Sequence, residues 1–198
     1  MKRSFDLTEK LLRDNVILPD EAEIVRYGLE HLKSTLLGML ISVLAGIVFG
    51  SVQVGLLLVC FLFPLRTSAG GYHAATKEKC LLLSVALVVG TFLFLDSWNC
   101  PIEVHRTVAM FSAVTVWGLA PIGTPNKRLD SDEKKVYGKR TKRLLLIDSV
   151  LFGLADWMKW ENGIAAIAMA LFISAASLVM GRMDDRRQND RQMAHEDW

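Results

Sequence analysis

Polar and apolar positions along this chain fall in blocks. Residues 1–33 carry charge at short intervals, with Phe5, Leu7, Leu11 and Leu12 on the apolar edge of one short helical repeat and Ile24, Tyr27, His31 and Leu32 on that of a second. Pro19-Asp20 opens the second repeat, with Asp20 as its N-cap and Glu23 as capping-box partner. This stretch reads as an interfacial anchor or as a docking surface for a substrate or second subunit. Six apolar runs follow: Leu36–Phe49, Val52–Phe63, Leu81–Leu95, Thr107–Leu119, Leu144–Trp160 and Ile164–Met180. The first two are separated only by Gly50-Ser51, and each is shorter than the ~20 residues that cross a full hydrocarbon core. Joined, they would need a steep tilt. Two short spans, with a turn at Gly50 and Lys33 snorkelling outward, fit better. The pattern therefore predicts an all-α integral membrane protein: an amphipathic segment over 1–33, six transmembrane helices within 34–181, and a charged tail over 182–198 expected to be disordered.

Composition supports this reading. Of 198 residues, 52% are hydrophobic and 22% charged, and the charges are clustered, whereas a soluble helical bundle places them every third or fourth position along each helix. No cleavable signal peptide is evident. The net charge is only +2, so its distribution decides more than its sum. Segment 64–80 holds Arg66, Lys77 and Lys79, and segment 123–143 holds eight Lys/Arg against three Asp/Glu, while the other side receives only Arg106 and Lys159. The positive-inside rule then places both termini and both basic loops in the cytoplasm. Trp98, Trp157 and Trp160 fall near the opposite boundary, where amphipathic rings prefer to sit. Nothing in the charge pattern calls for a nucleic acid.

The candidate chemistry is concentrated in 64–80. Cys80 is a strong nucleophile only as thiolate, which needs a base, a cation or a helix N-terminus. His73, Arg66, Lys79 and a helix starting near Thr76 offer all three. Continuous helix from His73 to Cys80 would separate their Cα atoms by about 10.5 Å, so His73 is expected in a loop or separate element and Cys80 in the helix. Gly70-Gly71 permits a tight turn that aims His73 and offers an N–H to an oxyanion, or is an ordinary loop turn. Arg66 is either a headgroup anchor or the partner of a carboxylate. On residues alone, Cys80 as a buried thiol and His73 as a surface histidine remain open. Asp148, one turn into the fifth run, is a costly place for a carboxylate; it orients Arg66, a basic residue or the substrate, or snorkels to the interface. Cys60, Cys80 and Cys100 make no disulfide framework, and no histidine–cysteine spacing suggests a metal or other cofactor.

Arg66 to Cys80, read as R-x4-GYH-x6-C, resembles the accessory gene regulator B family. Ala120-Pro121 through Asn126-Lys127-Arg128 is similar to that family's AP-x4-NK segment, with Arg128 where some relatives have proline. The resemblance implies a cell-membrane cysteine endopeptidase of a Gram-positive bacterium, a thiol protease in quorum sensing. Such enzymes cut an amphipathic pro-peptide near its C-terminal side, hold it as a thioester and support its cyclisation to a thiolactone or lactone. It implies that Cys80 is the nucleophile, His73 the base, and Arg66 and Gly71 positions associated with activity. It also implies a homodimer. Asn126, Lys127, Arg128, Lys134 and Lys135 then become candidates for binding an acidic C-terminal segment of the pro-peptide, or for contact with anionic lipid. Two rival readings are a membrane acyltransferase with Cys80 as acyl carrier and a small transporter or scaffold without chemistry.

Overall fold

A computed structural model of the chain is all α-helical and describes residues 2–14, 16–18, 22–72, 77–97, 100–123 and 130–196. Among the described residues seven helices run in order: α1 (Lys2–Arg13), α2 (Ala22–Val48), α3 (Val52–Ala69), α4 (Lys77–Ser97), α5 (Ile102–Leu119), α6 (Ser131–Trp157) and α7 (Glu161–Glu196). The residues up to Leu40 form one unit and those from Ile41 onward another. In the first, α1 keeps Leu11 and Leu12 half-buried on its apolar edge.

The second unit is a bundle organised around α7. This helix touches α3, α4, α5 and α6. It is buried on nearly every side from Ile164 to Leu178, as expected of a helix apolar all round. One flank packs Ile167, Leu171, Ala175 and Leu178 with Leu65, Ala69, Val116 and Leu145; the other packs Met169, Ala170 and Ile173 with Leu58, Leu62, Val88 and Phe92. Small side chains on α7 let its neighbours approach closely, the packing that joins helices when lipid removes the hydrophobic drive between them. Among the described residues, α3 and α7 are long and apolar enough to cross a membrane, and Leu32–Val48 and Leu82–Phe94 are shorter apolar stretches. The protein is therefore an all-α membrane protein with at least two membrane-length helices.

The helices are longer than the sequence pattern suggested. Segment 1–33 does not stop before the first apolar run, because α2 continues from Ala22 to Val48. The turn at Gly50 is where it was expected, with Gly50 at φ 70°. Helix α3 passes through Pro64, placing Arg66 in its last turn and not in a loop. Thr67 Oγ1 donates to the Pro64 carbonyl at 3.0 Å within that turn. From Ser131 onward the basic segment 123–143 is already helix. Asp130 caps α6, its carboxylate accepting from Ser131 N–H at 2.7 Å while Asp130 N–H donates to Glu133 at 3.2 Å, and no proline follows before Trp157. The tail expected to be disordered continues α7 to Glu196, with opposite charges interleaved along it. Loss of the cap in Asp130→Ala should cost about 1 kcal/mol. Thermal unfolding in detergent should show it as a Tm lower by roughly 2–4 °C.

The two ends of the bundle are held differently. At one end Arg106 grips Asp156 through two nitrogens at 2.8 and 3.0 Å and also bonds Glu103. The Asp156 hydrogen bonds hold the guanidinium above its ordinary pKa. There too Asn162 Nδ2 donates to Gln53 Oε1 at 2.8 Å, tying the start of α7 to the start of α3, and the Phe49 and Phe92 rings stack 5.5 Å apart. At the other end the connections are made by backbone. Near it Lys142 Nζ lies 4.9 Å from the centre of the Trp117 ring.

Candidate active site

The backbone-held end begins where α3 stops. Gly70 caps the helix, donating to the Arg66 carbonyl at 3.1 Å, and takes φ 76°; Gly71 follows at φ 138°. Both angles lie in the region that side chains avoid. Space forbids a side chain as firmly as torsion does: a Cβ on Gly70 would strike the Ile122 carbonyl oxygen, and one on Gly71 would strike Ser177 Oγ. The two glycines turn the chain sharply across the end of the bundle. It then passes against α7, where Tyr72 N–H donates to the Ser177 carbonyl at 2.9 Å. Gly181, one turn on, completes the fit, since a Cβ there would come within 3.0 Å of Gly71 C and Tyr72 N.

The second sequence motif meets the first here. After α5 the chain runs extended through Ala120, a cis Ala120–Pro121 bond and Ile122. Ile122 N–H donates to the Ala69 carbonyl at 3.0 Å, and Ile122 forms a parallel bridge with Gly70. Pro121 rests beside Gly138 of α6. The turn after α3 and the connection after α5 are thus one backbone-bonded structure, seated on α7.

The candidate residues separate as follows. Arg66 is half-buried in the last turn of α3, and Gly70 and Gly71 form the turn itself. Cys80 lies in the first turn of α4, whose N-terminus carries the positive end of the helix dipole. Its side chain, and the whole of His73, lie outside the described residues, as do Asn126, Lys127, Arg128 and Thr76. Lys134 and Lys135 are exposed on the first turns of α6, and Lys135 pairs with Asp132 at 3.0 Å. Asp148 is buried in α6 between Leu145 and Phe152, and its Oδ2 has no hydrogen-bond partner among the described residues; it does not snorkel. His105 is at the opposite end, its Nδ1 3.3 Å from the Pro101 carbonyl. Sequence reading missed Ser177 and Gly181. Their spacing of four in an apolar run is the small-xxx-small pattern of close helix contact, the one signal that pointed to them.

An all-α membrane bundle with a glycine turn and a cysteine at a helix start defines a class, and the comparison with known proteins narrows it. The model of the family described as "Accessory gene regulator B" matches residues 4–179, and the chain belongs to that family. It is 27% identical over 134 residues to AgrB-like protein 2 of Clostridium perfringens strain 13 / Type A, covering 63% of this chain and 60% of that one. The AgrB-like protein of Clostridium perfringens strain SM101 / Type A shows the same identity and coverage. The chain thus spans less than two thirds of the length of these relatives. No solved structure matches.

Proposed function

We propose that this protein is a cysteine endopeptidase that cleaves the C-terminal part of a signal pro-peptide through an acyl-enzyme on Cys80. The observation that supports it most is the joining of both sequence motifs, at Gly70 and Ile122, on a turn that ends at Tyr72, five residues of chain short of α4, which carries Cys80 in its first turn. In this reading His73 accepts the Cys80 thiol proton and the thiolate adds to the scissile carbonyl. The C–N bond then breaks, and His73 returns the proton to the departing amine. The thioester retains acyl-transfer potential. A thiol or hydroxyl within the bound peptide attacks it, forms the ring bond and releases Cys80, with a large proximity advantage over water. A site at the membrane boundary limits competing hydrolysis.

The surrounding assignments belong to the same reading. Six spans leave both termini and the catalytic end in the cytoplasm, at a bacterial cell membrane. Lys134 and Lys135, with the 126–128 segment, attract the acidic end of the pro-peptide, and Arg66 and the glycine turn position the reacting groups. A homodimer is part of the proposal. The test is the intact mass of the purified protein after incubation with an amphipathic precursor that carries an internal cysteine and an acidic C-terminus. An adduct on Cys80 that matches the N-terminal fragment and is released by hydroxylamine is the expected result. A lipid adduct would make the protein an acyltransferase. No adduct together with an intact precursor would return it to the transporter or scaffold reading.

A further inference from the structure

The central helix α7 is buried on nearly every side by α3, α4, α5 and α6. The bilayer that its length and apolarity call for therefore meets the outer faces of those neighbours. On α5 and α6 these faces are apolar and exposed, with Met110, Phe111 and Val114 on one and Leu146, Val150 and Leu154 on the other. Both faces are bracketed by charge. At one level Arg106 of α5 bonds Glu103 and, across to α6, Asp156. The Arg106 and Glu103 side chains are 43% and 70% exposed, so this level lies in water or headgroups and not in hydrocarbon. Trp157, Lys159 and Trp160 are exposed just beyond Asp156. At the other level Lys142 of α6 lies over the Trp117 ring of α5, and Arg143 is exposed beside it. Each bracket joins basic residues to tryptophan, the make-up of a membrane–water boundary.

The spacing of the brackets fixes the height of the apolar face. The eleven residue steps from Arg106 to Trp117 rise about 17 Å, and the fourteen from Lys142 to Asp156 about 21 Å. A third helix agrees: thirteen steps, about 20 Å, separate Arg66 from Gln53, which holds Asn162 at the Arg106 end. An ordinary hydrocarbon core is ~30 Å thick, and tilting the helices only lowers the face further. Arg106 is held by Asp156 and Lys142 by Trp117, so neither is free to snorkel across the difference. We propose that the α5–α6 face is an interaction surface for a bilayer of about two thirds the ordinary hydrocarbon thickness, and that the protein thins the membrane against this flank. The proposal rests on the membrane character of the bundle and is independent of the peptidase reading.

The test is thermal unfolding, followed by circular dichroism, of the full chain in phosphatidylcholine bilayers whose monounsaturated chains lengthen from about 14 to about 22 carbons. Tm should be highest at the short end and fall by roughly 5 °C or more toward the long end. Glu103→Leu, Arg106→Leu and Asp156→Leu made together extend the apolar face by about one helical turn. That variant should prefer chains longer by roughly two to four carbons. The parent series decides the matter even if the variant fails to fold. A parent Tm that peaks at about 18 carbons or longer would overturn the proposal. So would a Tm indifferent to chain length, the behaviour of a face covered by a second copy, and so would a folded variant with the parent's optimum.

Discussion

Gly71→Val should lower precursor cleavage by at least about 100-fold in kcat/KM while leaving the chain helical and inserted in detergent or bilayer. Valine at φ 138° is strained in torsion, and its branched Cβ meets Ser177 Oγ. The turn must move off α7, which breaks the Tyr72–Ser177 hydrogen bond. A displacement of about 1 Å near reacting groups commonly costs a hundredfold in rate, whereas the helices beneath, packed through other residues, stay in place. Gly90→Ala is the control. A Cβ at Gly90 meets nothing within 4 Å, so its cleavage rate should stay within about twofold of the parent. Circular dichroism and a single-turnover cleavage assay read the two effects separately. A Gly71→Val protein that cleaves at the parent rate would show that the turn does not set the reacting geometry.

Cys80→Ala should abolish cleavage, and His73→Ala should nearly do so, but the two should differ in their response to pH. Without a base, the thiol supplies thiolate only by its own ionisation. Cleavage by His73→Ala should therefore rise as pH approaches a free thiol's value of about 8.5. Cys80→Ala has no nucleophile at any pH and should stay flat. Mass analysis of the precursor from pH 6 to pH 9 gives both profiles. Processing that survives Cys80→Ala would remove the acyl-enzyme from consideration.

Much of the bundle was legible in the sequence because lipid imposes a blunt rule: apolar runs bounded by charge become helices. The run from Ile164 and the turn at Gly50 both followed from it. Where the expectation fell short, the cause was local. Pro64 looks like a stop, yet a helix tolerates it when neighbours secure the turn, so Arg66 became helical. Charge at 131–143 and beyond Arg182 looked like loop and tail, but charge does not oppose helix, and α6 holds no proline and runs through Gly138 and Gly153 without a break to Trp157. The seat of the Gly70–Tyr72 turn was not legible, because backbone groups make it. The bonds from Tyr72 to Ser177 and from Ile122 to Ala69 leave no mark on residue type except the glycines that make room for them.

The placement of α7 at the centre of the bundle has a consequence for biosynthesis. Helices α3 and α5 bury most of their inward faces against a partner that follows them in the chain, and Tyr72 waits for the carbonyl of Ser177. Until α7 leaves the ribosome, α3 and α5 have, among the described helices, chiefly α6 to pack on. The glycine turn has no floor. In the proposed reaction, cleavage therefore waits for α7, and a chain truncated before Ser177 should enter the membrane without cutting the precursor.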